Sequence, residues 1–277
     1  MKKAGLSPRK GLGQNFLVDE TALRRIVQAA ELTSDDTVLE IGAGPGGLTR
    51  LLAAQARQVV AVEIDPGLVE ILQSVVSDFG NVQIVQGDIL TLPLESLLSL
   101  APVGSHEQFK VVGNLPYYIT SAILRRLLES SRKPSLLVVT VQEEVARRIV
   151  AQPGEMSLLA VSVQFYGRPR IVGRIPAGAF YPPPKVDSAI VRVDLTQQAR
   201  ADVDDVGWFF SVVRAGFSAR RKQLHNTLVH SLALPAPEVR AALDRAAIDP
   251  SRRAQTLSLD EWARLSHELR CVAGPQS

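Results

Sequence analysis

Apolar and polar residues follow two alternating patterns along the first half of the chain. Short apolar runs predict buried strands at residues 38–41, 59–64, 82–85, 109–112 and 136–141. Apolar residues at helical spacing predict helices at residues 19–30, 48–56, 66–76, 121–128 and 144–149. Strands that alternate with helices are typical of an α/β fold with a mostly parallel, doubly wound sheet and right-handed crossovers.

The pattern changes after about residue 150. Residues 157–165 are apolar and allow either a helix or a strand, while residues 170–175 and 189–195 are typical of strands. Between these two strands lie three successive prolines, Pro182 to Pro184, which cannot occupy the interior of a helix or of a central strand. Residues 179–188 are therefore expected to form a stiff, extended loop.

From about residue 196 onward the pattern is helical. It predicts helices at residues 206–217, 219–231, 237–245 and 259–269. The polar stretch at residues 197–205 is the candidate linker that precedes them. We therefore expect two domains, an α/β domain at residues 1–195 with a basic N-terminal arm, and a small all-helical domain at residues 196–277.

Composition narrows the class of protein. The chain has 277 residues, of which 46% are apolar, enough to bury a sizeable core. No apolar run approaches the ~18 uncharged residues of a membrane span, and no apolar stretch of the kind found in secretory signals follows the basic N-terminus. The single cysteine, Cys271, excludes an internal disulfide and a cysteine-rich zinc site. These features predict a cytoplasmic protein.

The net charge of +3 permits nucleic-acid binding without requiring it. The position of the positive charge is more informative, because the chain has no acid before Asp19. The cations of this first segment are Lys2, Lys3, Arg9 and Lys10. The segment is either a solvated tail or an arm that contacts phosphates and closes over a ligand. The paired apolar residues Phe16 and Leu17 favour the arm.

Glycines and polar residues stand where successive predicted strands end. Gly42, Gly44 and Gly47 form a G-x-G-x-x-G pattern. Glu63 follows about 20 residues later, a spacing typical of dinucleotide-binding proteins such as hydride-transfer enzymes. Asp88 follows the third strand, where it could accept from an exocyclic amine. The acids at the strand ends, together with the Asn-Leu-Pro-Tyr motif after the fourth strand, favour S-adenosylmethionine as the ligand over a nicotinamide cofactor. S-adenosylmethionine is a nucleoside with a sulfonium side chain.

The fourth strand leads into Gly113-Asn114-Leu115-Pro116-Tyr117-Tyr118. Asn114 supplies a carbonyl acceptor and an amide donor, and Pro116 stiffens the backbone. Tyr117 and Tyr118 offer flat faces on which a nucleobase can stack. This combination suits a site that holds an aromatic amine in plane while its nitrogen attacks. The alternative is a turn in which Asn114 caps the next helix and the tyrosines complete the core.

A second basic cluster is predicted to lie in the first turn of a helix, with Ser218 as the N-cap. Its members are Arg220, Arg221 and Lys222. Cations at that position oppose the helix dipole, and an external phosphate would relieve this. The alternative is a set of surface charges paired with Asp204, Asp205 or Glu238. Arg147, Arg148 and the N-terminal lysines could extend a phosphate-binding surface. The four histidines show no metal-ligand spacing, and we expect no metal.

Several motifs together resemble one protein family. They are Gly13-Gln14-Asn15-Phe16-Leu17, Glu40-Ile41-Gly42-Ala43-Gly44, Glu63-Ile64-Asp65, Gly87-Asp88, Asn114-Leu115-Pro116-Tyr117, Pro183-Pro184-Lys185-Val186-Asp187-Ser188 and Phe217-Ser218-Ala219-Arg220-Arg221-Lys222. In these motifs, which run nearly from end to end, the chain resembles the bacterial small-subunit ribosomal RNA adenine dimethyltransferases. More distantly, it resembles the erythromycin-resistance methyltransferases.

The resemblance implies a Rossmann-like methyltransferase domain and a small helical C-terminal domain. It implies dimethylation at N6 of two adjacent adenosines in a hairpin near the 3′ end of small-subunit (16S) ribosomal RNA. S-adenosylmethionine would be the methyl donor and S-adenosylhomocysteine the product. The expected protein is a monomer that acts on the immature 30S particle. The positions assigned to the donor are Asn15, Leu17, Gly42, Glu63, Asp88 and Asn114, to which the glycine pattern adds Gly44.

For the chemistry, we expect Asn114 and the carbonyl of Leu115 or Pro116 to accept the amine protons of adenine, which would localise the lone pair on nitrogen. Tyr117 would stack on the base and stabilise its growing positive charge. Phe180, before the proline run, is expected to form a second aromatic wall for an everted base. Its alternative role is a core plug beneath the loop. Dimethylation requires that the pocket also accept a monomethylated amine.

Two other functions fit the same residues. One is a ribosome-assembly factor that mainly binds RNA, with methylation secondary. The other is a resistance methyltransferase that acts on large-subunit RNA. Leu115 of the Asn-Leu-Pro-Tyr motif and the basic module at residues 217–222 favour the small-subunit enzyme.

Overall fold

The computed structural model describes residues 14–101, 108–196, 199–219 and 221–273. The central sheet contains the strands β2 (Thr37–Ile41), β3 (Gln58–Glu63), β4 (Val82–Gln86), β5 (Phe109–Asn114), β6 (Leu136–Gln142), β7 (Gly167–Ile175) and β9 (Ser188–Leu195). A separate pair is formed by β1 (Phe16–Leu17) and β8 (Phe180–Tyr181). The helices of the described chain are α1 (Glu20–Ala30), α2 (Gly47–Ala53), α3 (Pro66–Val75), α4 (Leu94–Ser99), α5 (Thr120–Leu128), α6 (Glu143–Ile149), α7 (Leu158–Tyr166), α8 (Val206–Gly216), α9 (Leu224–Leu232), α10 (Ala236–Arg245) and α11 (Leu259–Ala273).

The strand order of the central sheet is β4-β3-β2-β5-β6-β9-β7. β2 pairs in parallel with β3 and β5, β3 pairs with β4, and β5 pairs with β6. The carboxyl ends of these five strands therefore lie along one edge, and the strand order reverses between β2 and β5, where open α/β sheets bind ligands. β9 runs antiparallel to β6, with Gln142 opposite Ser188. The α/β fold class with a mostly parallel sheet is confirmed.

Local sequence explains where several helices begin. Asp19, Asp65 and Ser157 each accept a hydrogen bond from a main-chain N–H group in the first turn, and so cap α1, α3 and α7. The cap at Ser157 accompanies a helix, rather than a strand, in the ambiguous stretch at residues 157–165. Among the helices that the structure describes, none has the length and apolar character needed to cross a membrane.

The β1–β8 pair was not predicted, because strands of two residues carry no periodic signal. Leu17 lies opposite Phe180 across this pair. The carbonyl oxygen of Ala179 also accepts hydrogen bonds from the main-chain N–H groups of Val18 and Asp19, at 2.9 and 3.2 Å. These contacts join the start of the described chain to the loop that contains the proline run.

Contacts divide the chain into two compact units. The first contains Met1–Ala146 and Arg168–Gln197, and the second contains Arg147–Gly167 and Gln198–Ser277. Within the second unit, Phe165 of α7 stacks on Phe209 of α8 with ring centroids 4.8 Å apart. This aromatic packing explains why α7 groups with the C-terminal helices rather than with the α/β part. The division into domains at residues 195 and 196 stays a prediction.

The helix predicted at residues 219–231 begins later than expected. α9 starts at Leu224, and its N-cap is Gln223 rather than Ser218. Ser218 instead follows the last turn of α8, where its main-chain N–H donates to a carbonyl of that helix. The prediction that the basic cluster lies in the first helical turn was therefore wrong, because Arg221 and Lys222 lie in the turn before α9.

Candidate active site

A cleft opens at the carboxyl ends of the parallel strands, where the strand order reverses. It encloses about 950 Å³, part of it open solvent. The predicted site residues that line it are Asn15, Gly42, Gly44, Glu63, Asp88, Asn114, Leu115, Pro116 and Tyr117. Tyr118, which the sequence offered as a second stacking face, also lines the cleft. Lining residues that sequence reasoning did not assign include Gln14, Phe16, Ile64, Ile89 and Leu90. The ends of β3, β4 and β5 thus bring Glu63, Asp88 and Asn114 to one cavity with the glycine turn after β2.

Glu63 ends β3 with its carboxylate almost entirely buried. Its two oxygens accept hydrogen bonds from the main-chain N–H groups of Gly44, at 2.8 Å, and of Asp65, at 2.9 Å. Burial raises the pKa of Glu63, and the main-chain donors offset part of this effect. Because each carboxylate oxygen has a second lone pair, Glu63 can still accept from hydroxyl groups in the cleft.

The glycine turn after β2 brings backbone close to an aromatic ring. Gly44 has a positive φ of 56°, which disfavours other residues, and a Cβ atom there would lie 3.4 Å from the ring of Phe16. Gln14, which lies two residues before Phe16, donates a hydrogen bond from its Nε2 to Oδ2 of Asp65 at 3.0 Å. Residues 14–16 are thereby held in the cleft wall. The signal for Gln14 and Phe16 was available in the motif that they share with Asn15.

Asp88 lies in the loop after β4, and its carboxylate orders that loop. Oδ1 of Asp88 accepts from the main-chain N–H of Leu90 at 2.8 Å. Arg126 of α5 donates to the carbonyl oxygens of Leu90, at 2.8 Å, and of Leu92. The loop that presents Asp88, Ile89 and Leu90 to the cleft is therefore braced from the helix after the Asn-Leu-Pro-Tyr turn.

Asn114 ends β5 and has its amide orientation set by the N-terminal segment. Its Nδ2 donates to the main-chain carbonyl of Asn15 at 3.0 Å, a position that an oxygen could not occupy favourably. The other amide atom, Oδ1, is buried and has no hydrogen-bond partner within the described part of the chain. Asn114 therefore keeps an unused acceptor in the cleft wall, and it does not cap α5, whose N-cap is Ile119.

The two carbonyl groups that follow Asn114 differ in their contacts. The Pro116 carbonyl accepts from the main-chain N–H of Ile119, at 3.2 Å, and from the hydroxyl of Thr120, at 3.1 Å. Both of its lone pairs are therefore engaged at the start of α5. Leu115 donates its N–H to the carbonyl of Thr140 in β6, which fixes its backbone. The sequence analysis offered the carbonyl of Leu115 or of Pro116 as the second acceptor for the adenine amine, and the Leu115 carbonyl is the better candidate.

The two tyrosines of the turn have different surroundings. Tyr117 is half-buried, and its hydroxyl lies 2.6 Å from Oγ of Ser188. Burial raises the pKa of the Tyr117 phenol, and the contact with Ser188 offsets part of this effect. Tyr118 is 62% exposed, so it does not complete the core as the alternative interpretation required. Both rings are available to a planar ligand in the cleft.

Two predicted site residues lie outside the cleft lining. Phe180 and Leu17 face each other in the β1–β8 pair, are 3% and 8% exposed, and pack in the apolar core with Ile26 and Val27. Phe180 thus occupies the core position that was its alternative role. A role as a second wall for a base stays a prediction and requires the ring to leave the core. A role of Leu17 toward the donor likewise stays a prediction.

The predicted RNA-binding cations are only partly described. Arg221, Lys222 and Arg147 are exposed, and Arg148 is half-buried on α6. The others lie outside the described residues, namely Lys2, Lys3, Arg9, Lys10 and Arg220.

Two of the acids considered as partners of the basic cluster are paired elsewhere. Asp204 contacts His267 at 3.2 Å, and Asp205 contacts Arg270 at 2.7 Å. Asp205 also caps α8. Neutralisation of the cluster by these acids is therefore less favourable than the sequence suggested.

Comparison with known proteins identifies the family of the chain. The model of the ribosomal RNA adenine dimethylase family matches residues 5–270. A ribosomal RNA small subunit methyltransferase A from Dehalococcoides mccartyi is 49% identical over 261 residues, which cover 94% of this chain and 88% of that protein. The protein of the same description from Pelotomaculum thermopropionicum is 44% identical, and the match covers 99% of this chain and 95% of that protein.

A solved structure shares both the fold and part of the sequence. The crystal structure of the 23S rRNA methyltransferase ErmE superposes with a TM-score of 0.72 at 33% identity, covering 92% of this chain and 99% of that chain. The expected Rossmann-like methyltransferase fold and the family resemblance are thereby confirmed. The chain belongs to the ribosomal RNA adenine dimethylase family and is an rRNA adenine dimethyltransferase.

Proposed function

We propose that this protein transfers methyl groups from S-adenosylmethionine to N6 of two adjacent adenosines in small-subunit ribosomal RNA. The observation that carries the proposal is the buried Oδ1 of Asn114, which lacks a hydrogen-bond partner among the described residues and lies in the cleft that also holds Glu63 and Asp88. A buried acceptor without a partner costs about 1–3 kcal/mol. The amine of an everted adenine would supply that partner.

The described residues fit a nucleoside methyl donor. Glu63 has lone pairs left for two ribose hydroxyls, and Asp88 can accept from the exocyclic amine of the donor's adenine. Ile64 and Ile89 also line the cleft and offer apolar contact to a base. When bound, the donor supplies an electrophilic methyl group on a sulfonium sulfur. The proposal includes no metal ion.

The chain's own groups then act on the target amine. The N6 nitrogen of adenine is a poor nucleophile because its lone pair is delocalised into the ring. Hydrogen bonds from its two protons to Oδ1 of Asn114 and to the Leu115 carbonyl favour a pyramidal nitrogen with a localised lone pair. Tyr117 stacks on the ring and stabilises the positive charge that grows on the base. Alignment of nitrogen, methyl carbon and sulfur supplies much of the remaining rate enhancement.

Two successive transfers place a further demand on the pocket. In the first transfer the S–CH3 bond breaks as the N–CH3 bond forms, and the resulting cationic nitrogen then releases one proton. The amine now carries one proton, so one acceptor must suffice for the second transfer. RNA with N6-methyladenosine at the target position is therefore expected to be a substrate, as measured by the rate of conversion to N6,N6-dimethyladenosine. A wild-type enzyme that methylates adenosine but leaves this RNA unchanged would contradict the proposed two-step reaction.

Sequence identity favours small-subunit RNA over large-subunit RNA as the substrate. The relatives described as small-subunit enzymes are 49% and 44% identical to this chain, whereas the 23S rRNA methyltransferase ErmE is 33% identical. We propose that the predicted RNA-binding cations, including those of the N-terminal segment, contact phosphates of the immature 30S particle. These residues are Arg147, Arg148, Arg220, Arg221, Lys222, Lys2, Lys3, Arg9 and Lys10.

The test supplies the purified protein with isotopically labelled S-adenosylmethionine and with separated small or large ribosomal subunits that lack the modification. The RNA is then digested, and its nucleosides are identified by mass spectrometry. We expect labelled N6,N6-dimethyladenosine at two adjacent positions of the small-subunit RNA. Label confined to large-subunit RNA would indicate a resistance-type enzyme. Tight RNA binding with no label would indicate an assembly factor without methyl transfer.

A further inference from the structure

Ser188 is the last residue of the Pro-Pro-Lys-Val-Asp-Ser motif, to which the proposed reaction gives no role. It begins β9 opposite Gln142 and is completely buried. The preceding residue, Asp187, is held on both sides. Its Oδ1 accepts from the main-chain N–H of Ala177 at 2.9 Å, and its carbonyl accepts from the main-chain N–H of Glu143 at 3.0 Å. The Ser188 hydroxyl is therefore presented from a fixed backbone.

Tyr117 meets this hydroxyl from a less constrained position. It lies in the turn after β5 rather than in a strand, and its ring is only half-buried. The hydroxyl at the far end of the ring lies 2.6 Å from Oγ of Ser188, and either oxygen can donate. Because the hydroxyl oxygen lies on the axis of the Cβ–ring bond, a contact there restricts rotation about the Cα–Cβ bond and so fixes where the ring lies.

A phenylalanine would provide the same apolar face for stacking. The hydroxyl of Tyr117 therefore adds orientation rather than stacking area. A ring that is already held at the stacking position loses less conformational freedom when a base binds, and it constrains the position of the amine relative to Asn114.

We propose that Ser188 is a positioning residue for methyl transfer, which through its contact with the Tyr117 hydroxyl holds that ring at the position in the cleft that receives the everted adenine. This inference rests on the proposed function, because it gives Tyr117 the role of stacking platform. It also gives the proline-rich loop a task in the reaction, since Asp187 anchors the backbone that presents Ser188.

The test is a double-mutant cycle with Ser188→Ala, Tyr117→Phe and the double variant, assayed on small ribosomal subunits. The matched control is Ser135→Ala, which removes a serine hydroxyl that bonds a carbonyl at the opposite end of β6. We expect each single variant to lower kcat/KM for RNA about tenfold, and the double variant to lose no more than either single one. The Kd for S-adenosylmethionine, measured by calorimetry, should stay unchanged in all four proteins.

A second readout reports the ring directly. An RNA hairpin with 2-aminopurine at the target position should show weaker quenching with Ser188→Ala than with the wild type, because the ring stacks less on the base. Tyr117→Phe removes the same contact and leaves the sequence of β9 unchanged. It therefore tests the role of the contact even if Ser188→Ala destabilises the sheet. Ser135→Ala should match the wild type in both readouts.

Three results would overturn the role of Ser188. They are unchanged kcat/KM in Ser188→Ala, losses that multiply to about a hundredfold in the double variant, or a parallel loss of donor binding. The proposed function fails separately, since that failure requires a wild-type protein that forms no N6,N6-dimethyladenosine. If the wild type is active and Ser188→Ala is fully active, only the proposed role of Ser188 is contradicted.

Discussion

At the scale of single residues, two buried glutamates near the strand ends differ in the hydrogen-bond partners of their carboxyl groups. Glu63 receives hydrogen bonds from two main-chain N–H groups. Glu40 of β2 is buried, and within the described chain neither of its oxygens has a hydrogen-bond partner. Burial and, to a smaller extent, the charge of Glu63 raise the pKa of Glu40, Thr49 offsets part of this, and the resulting pKa is about 8. Glu40 is therefore mostly protonated at neutral pH.

This predicts how stability depends on pH. The pKa of Glu40 is higher in the folded chain than its ordinary value of 4.5, so the unfolded chain loses this proton first as the pH rises. The free energy of unfolding should fall between about pH 5 and pH 8, by at most about 1.4 kcal/mol per pH unit from this group. Glu40→Gln cannot ionise and should be free of that contribution.

Urea unfolding of both proteins across this pH range measures the effect. We expect the stability of Glu40→Gln relative to the wild type to increase steadily toward pH 8, where the difference levels off. A constant difference at every pH would show that Glu40 has no raised pKa in the folded protein.

At the scale of elements, the loop after β4 depends on α5 for its position. Arg126 donates to two carbonyl oxygens of this loop, at Leu90 and Leu92. Its neighbour Arg125 is instead exposed and pairs with Glu129 of its own helix. The two arginines therefore form a matched pair in which only one touches the proposed donor site.

We expect Arg126→Ala to raise the Kd for S-adenosylmethionine about tenfold, because loss of two hydrogen bonds lets the Asp88 loop move. Isothermal titration calorimetry measures this constant without RNA. Arg125→Ala should leave it unchanged. If both variants bind the donor as tightly as the wild type does, the Asp88 loop does not need this brace.

The strand ends were predictable because their signals are local. Each apolar run and the polar residue after it can be found in the sequence, and the carboxyl ends of parallel strands meet at one edge of the sheet. Glu63, Asp88 and Asn114 could therefore be placed together in advance. The contacts of Asn114 with Asn15 and of Tyr117 with Ser188 could not, because they join residues 99 and 71 positions apart.

The start of α9 shows a different limit. Ser218 followed by small and basic residues is a good local signal for a helix start. In the fold, however, Ser218 belongs to the end of α8, and Gln223 takes the N-cap position. A signal that suits both the end of one helix and the start of the next is resolved by tertiary packing, which the sequence pattern does not contain.

At the scale of the whole molecule, the net charge of +3 is too small to account for binding to RNA. Binding must then depend on where cations are exposed. Arg221 and Lys222 are exposed in the turn before α9. Arg24 and Arg125 are also exposed but pair with Glu20 and Glu129 on their own helices.

We expect the double variant Arg221→Ala/Lys222→Ala to weaken RNA binding and to reduce the slope of log K against log salt concentration by between about one and two. Arg24→Ala/Arg125→Ala changes the net charge equally and should leave the slope near that of the wild type. Filter binding or fluorescence anisotropy across a salt series measures both. Equal slopes for the two double variants would assign the effect to net charge rather than to the turn before α9.

The most direct test of the central claim is a single-turnover measurement of methyl transfer by Asn114→Ala, together with its Kd for S-adenosylmethionine. We expect the transfer rate to fall at least about a hundredfold, while Glu63 and Asp88 keep the donor bound with only partly reduced affinity. Transfer at the wild-type rate would contradict the claim that the Asn114 acceptor activates the adenine amine.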